Sequence, residues 1–207
     1  QNPRIMNRIM NSASDLKSLI IQHAEDAELS KDGMINDGII ATKLGLQGIP
    51  ISAELLIIER DLTLLEYNNC RYHIAQISSA NTVDIIRERK SKVKFSCGVS
   101  INNLSLNEND IGDFKTFLKL SPPLRTETDR NALVQGLNDG TIDVIVSDHK
   151  PEDEENKRLT FAQAETGASG IETLLPLSLE LYHNGSIDLE TIIKALTSKP
   201  AEILKIN

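Results

Sequence analysis

Short apolar runs alternate along this chain with stretches in which apolar residues recur every three or four positions. Asn2-Pro3 opens a helix with proline in the first turn, and Ile5, Met6, Ile9, Met10, Ala13 and Leu16 follow at helical spacing. The run Leu19-Ile20-Ile21-Gln22 then reads as a strand ending at His23. A polar connection over 24–36 leads to a short helix at 39–46, broken by Gly48-Ile49-Pro50. Ser52 opens a longer helix to about Tyr67, with Leu55, Ile58, Leu62 and Leu65 on one face. The alternation continues with a strand at 72–77, a helix at 82–90 and a strand at 93–99. A polar loop rich in asparagine comes next, and Pro122-Pro123 bars any helix there. Thr126 caps a helix that Asp139-Gly140 ends. The strand 142–146 stops at Ser147-Asp148-His149, and helices are expected near 170–183 and 188–197.

Four short apolar strands, each followed by helix, describe consecutive βα units of a parallel sheet, so the fold class is α/β. Polar side chains gather just past the strand ends: His23, Gln76, Ser78, Asp148 and His149. Both a (β/α)₈ barrel and an open doubly wound sheet carry their chemistry at that edge, and the pattern alone does not choose between them. Four units would make half a barrel. The expectation is therefore one incomplete (β/α) domain over residues 1–207, with apolar edges that favour a homo-oligomer.

Composition narrows the function. A net charge of −8 and 3% aromatic residues with no tryptophan argue against a nucleic-acid partner. The basic stretch Arg87-Glu88-Arg89-Lys90-Ser91-Lys92 sits at a helix end, where it complements the helix dipole. No apolar run is long enough for a membrane span, and two cysteines in unrelated contexts predict a reduced, cytoplasmic protein. No phosphate-binding glycine fingerprint and no Ser-His-Asp or Cys-His arrangement can be placed. The acidic run Glu152–Glu155 lacks the alternation and turn glycine of a calcium loop and reads as solvated surface.

Four segments carry a family resemblance. They are Gln22-His23-Ala24-Glu25-Asp26, then Pro122-Pro123-Leu124-Arg125 with Asp129-Arg130 and Leu133, then Asp143 to Pro151 around Asp148-His149, and finally Gly167 to Pro176 with Gly170-Ile171-Glu172-Thr173. In this order they resemble the dihydroorotases of the cyclic amidohydrolase superfamily and cover nearly the whole chain. The resemblance implies the later half of an amidohydrolase (TIM-type) barrel that interconverts N-carbamoyl-L-aspartate and L-dihydroorotate in pyrimidine synthesis. It implies zinc, with His23 and Asp148 as metal ligands and Asp148 also as catalytic acid/base. It implies substrate contacts at positions 121, 152 and 167, which are Ser121, Glu152 and Gly167 here. The family's His-x-His pair and bridging Lys or Asp would lie ahead of Gln1.

Several positions depart from the family pattern. Gln76 stands where a metal-binding histidine is expected, and His73 cannot replace it, because a three-residue step along a strand reverses the side-chain face. Ser121 replaces an asparagine, Glu152 a substrate-binding histidine, and Thr166 a phenylalanine, while Asn102 and Asn103 replace histidines. Glu152 sets a negative charge where a dicarboxylate substrate would sit. A second reading follows: a catalytically silent dihydroorotase-like subunit that supports aspartate transcarbamoylase. His73 reads as core, His183 as a helix C-terminal residue, and the loop 102–110 as solvated.

Overall fold

The computed structural model describes residues 2–206. Helix α1 (Pro3–Asp15) begins as expected, with the Asn2 side chain accepting from the Arg4 amide. In chain order there follow β1 (Leu19–Gln22), β2 (Ile35–Asn36), α2 (Ile39–Leu44), β3 (Gly48–Ile49), α3 (Ser52–Tyr67) and β4 (Arg71–Ile74). Then come α4 (Ala80–Arg89), β5 (Ser96–Ser100), α5 (Ile101–Ser105), α6 (Glu127–Asn138), β6 (Val144–Val146) and α7 (Glu154–Lys157). Helices α8 (Leu174–His183), α9 (Leu189–Leu196) and α10 (Ser198–Leu204) close the described span.

Strands β1, β4, β5 and β6 form one parallel sheet in that order, with Leu19 opposite Arg71, His73 opposite Ser96 and Val99 opposite Ile145. This is the predicted succession of βα units, and the strand order equals the chain order. The main core fills the space between sheet and helices with Met10, Ile58, Leu62, Ile74, Ile86, Val99, Leu133 and Ile192. A second apolar cluster of Ile35, Ala41, Ile111, Leu120, Leu124 and Phe161 underpins the loops that follow the strands. The basic stretch at the end of α4 is ion-paired: Arg87 to Asp84 and Asp139, Arg89 to Glu66, Lys90 to Asp143, and Lys92 to Glu88.

Two expectations need correction. The connection 24–36 contributes β2, which pairs in parallel with β3 as a small second sheet; two-residue strands leave no periodicity to read. The loop 102–110 is not solvated. Asn102, Asn103 and Glu108 are buried, Asn103 donates to Pro123 O at 3.0 Å, and Glu108 accepts from Asn36 at 2.6 Å. Polar side chains with internal partners look, in a sequence, like loop residues facing water.

Candidate active site

The C-terminal ends of the four parallel strands converge on one polar face. His23 directly follows β1, Gln76 lies two residues past β4, Ser100 caps α5 at the end of β5, and Asp148 lies two residues past β6. Asp148 has φ +50°, a left-handed backbone in a residue with a Cβ. Such strain persists only where its surroundings over-determine it.

Those surroundings can be named. Gly170 packs so closely on this corner that an added Cβ would lie 2.1 Å from Ser147 O. The His149 ring accepts at Nδ1 from the Gly170 and Ile171 amides, at 3.0 and 3.2 Å, so Nδ1 carries no proton. His149 and Ala168 also form a parallel bridge. The Gly167–Thr173 stretch thereby holds the Asp148 corner in place. In the sequence His149 is merely the neighbour of the acid; its anchoring role needs the fold.

Around Asp148 the structure brings together some of the expected residues in an unexpected pairing. The Gln76 amide donates to Asp148 Oδ1 at 2.8 Å, while Gln76 Oε1 is buried without a partner among the described residues. His23 Nε2 lies 3.1 Å from Ser121 Oγ, and that hydroxyl donates to Glu25 Oε2 at 3.2 Å. Glu25 itself stands 3.9 Å from His23 Nε2. Glu25 is the chief influence raising the His23 pKa above the ordinary histidine value, against a lowering by burial, and His23 in turn holds the Glu25 carboxyl below its usual range. Glu25 belongs to this group as much as His23 does, and only its place in the His-Ala-Glu-Asp run hinted at it.

Glu152 is half-buried, with Lys150 Nζ 3.4 Å from its carboxylate, so its charge is partly compensated. Gly167 has φ +139°, and a Cβ there would lie 2.4 Å from Lys150 O, so only glycine fits. A cavity of 440 Å³ runs from Gln76, Ser147 and Asp148 along His73 and Ile21 to Leu204 of α10. His73 is buried and bonded to Ser96 at 2.8 Å, a core position as expected.

These residues do not make a metal-holding set. Among the described residues no three of His, Cys, Asp and Glu cluster in a way that could ligate an ion. Ser121 engages His23 Nε2 and Gln76 engages Asp148 Oδ1, so each expected ligand already has a partner within the chain.

Comparison with known proteins decides the family. A curated dihydroorotase from Ehrlichia canis is 42% identical over 207 residues, covering 99% of this chain and 46% of its own length. One from Desulforapulum autotrophicum is 38% identical over 205 residues, with 99% of this chain and 48% of its own length covered. The chain belongs to the dihydroorotase family.

A family model described as dihydro-orotase-like matches residues 1–82. The dihydroorotase-family chain spans a little under half the length of the curated relatives it matches. Its fold is that of known barrels. The L-hydantoinase of Arthrobacter aurescens superposes with a TM-score of 0.86 at 25% identity, covering 100% of this chain and 48% of that one. A dihydroorotase of Saccharomyces cerevisiae superposes at 0.77 with 15% identity, covering 100% and 56%. The α/β class and the half-barrel reading therefore hold. No helix among the described residues is long and apolar enough to cross a membrane.

Proposed function

We propose that this chain is the later part of a cyclic amidohydrolase that interconverts N-carbamoyl-L-aspartate and L-dihydroorotate. The observation that carries the reading is identity to proteins named dihydroorotase along 99% of the chain, at about two residues in five. The face built at the strand ends suits the task. Asp148, fixed by Gly170, His149 and Gln76, takes the proton of an attacking water and returns it to the leaving ring nitrogen. Ser121 offers a hydroxyl beside His23 and Glu25. Gly167 is buried against Lys150, its N–H given to Lys119 O at 2.9 Å, and leaves no room for a side chain at that border of the face. Glu152, moderated by Lys150, borders the place of the substrate carboxylates and weakens their binding. Zinc, the metal that family resemblance implies, would need ligands beyond His23 and Asp148.

One observation favours a second reading, a silent subunit that supports aspartate transcarbamoylase. The Gln76 amide sits where a metal-binding imidazole is expected and occupies the Asp148 carboxylate. The test is dihydroorotate hydrolysis by the full gene product, with and without added zinc, beside Asp148→Ala. Under the enzyme reading turnover needs zinc, and the variant loses on the order of 10²–10⁴-fold, as removal of an acid/base group does. A folded protein without turnover that binds the transcarbamoylase would replace that reading with the silent one.

A further inference from the structure

A buried cation stands behind the face just described. Lys119 is 7% exposed, and its ammonium donates to three backbone carbonyls: Phe161 O at 3.0 Å, Ala162 O at 3.1 Å and Ala164 O at 2.8 Å. An ammonium has three protons, so this cage satisfies it completely. Among the described residues Glu165 is the carboxylate that attracts it, from beyond ion-pair distance, and backbone dipoles make the direct contacts. The Phe161 ring adds its face 5.9 Å from the nitrogen, and Phe114 packs on that ring in turn. Burying a charge this way is costly and lowers the Lys119 pKa from its usual value. Leucine or methionine would fill the same space without that cost, so the ammonium needs a reason for its place.

The reason lies in what the cage connects. The three carbonyls belong to the turn 161–164, which leads directly into Gly167, and Gly167 N–H returns to Lys119 O. Two residues beyond Lys119 stands Ser121, beside His23. Lys157 repeats the device at the other end of the segment, donating to Thr116 O at 3.0 Å and Glu165 O at 2.6 Å, while Thr116 Oγ1 donates to Lys157 O. The segment 157–167 has no regular secondary structure beyond the end of α7. Its carbonyls would otherwise be free to turn to water.

We infer that Lys119 is a positioning residue: its caged ammonium locks the 161–167 turn onto the 116–121 segment and so fixes Gly167 and Ser121 relative to Asp148 for substrate. This rests on the proposed hydrolase reading for its kinetic consequence, but the lock itself does not.

The experiment uses the full gene product, parent against Lys119→Met and Lys119→Arg. Methionine keeps the length and apolar stem and removes all three donors; arginine restores donors and charge. Amide hydrogen exchange reports the order of 161–167, and steady-state kinetics with L-dihydroorotate report its use. We expect exchange in 161–167 to quicken in Lys119→Met while the strands stay protected. KM should rise on the order of tenfold with kcat within about twofold, as for a loss of uniform binding, and Lys119→Arg should recover part of both. Unchanged exchange in Lys119→Met overturns the lock. Quickened exchange with unchanged KM overturns the positioning role. A parent that turns nothing over sinks the hydrolase reading instead, and the lock then stands or falls on exchange alone.

Discussion

At the scale of single residues, the Asp148 corner is held from behind by contacts that leave no room. Gly170 approaches Ser147 O so closely that alanine there must displace the corner. Gly170→Ala should destabilise the fold by about 1–3 kcal/mol, the usual range for overpacking, and should depress turnover beyond what its lower melting temperature explains. Thermal unfolding and kinetics on the same sample check both. His73 offers a test of burial on the sheet's inner face. Burial lowers its pKa from 6.5, so the folded chain keeps the ring neutral where the unfolded chain would protonate it. Its contribution to stability is therefore complete above pH 6.5 and is lost as pH falls through that value toward the folded pKa. His23 shifts the opposite way, so the prediction concerns a difference: the stability of the parent relative to His73→Gln should fall between about pH 8 and pH 5. Urea denaturation across that range would show a flat difference if the idea is wrong.

At the scale of elements, buried polar groups join the βα units behind the site. The Glu54 carboxylate near the start of α3 accepts from the Ser78 amide at 3.1 Å, from the Ser78 hydroxyl and from Thr82. Arg125 donates to Ser78 Oγ at 3.1 Å, Asn36 at 2.8 Å and Ile49 O at 2.6 Å, tying in β2 and β3. Glu54→Ala would strip three donors and leave Arg125 with less compensation, so a loss of about 3–5 kcal/mol is expected, as when one partner of a buried charged group is removed. A drop in melting temperature of only a few degrees would contradict it. This layer also marks the limit of what the sequence reveals. The strands after α1 and α4, and helix α6 with its Thr126 cap, were legible because apolar period and cap residues act locally. Asn36, Asn103 and Glu108 were not, because a side chain partnered across 20 or 72 residues is indistinguishable from one facing solvent. At the candidate site, family motifs point to His23 and Asp148, but that Ser121 and Gln76 engage them was not legible, since no motif records a hydrogen bond.

At the scale of the molecule, the described span keeps apolar surface at one end of its sheet. Ile21 on β1, with Ile5, Ile9 and Leu16 on or beside α1, is 46–75% exposed. Exposed strand edges and adjoining apolar helix faces recruit partners. Expressed by itself, the 207-residue span should self-associate, and light scattering that returned a clean monomer would sink the expectation. The order of the sheet has a further meaning during synthesis. Because β1, β4, β5 and β6 lie side by side in the sequence in which they are made, no strand must later be threaded between two that have already paired. Each one leaving the ribosome meets the free edge of its predecessor, so the sheet can grow at the pace of translation, from the first strand to the last.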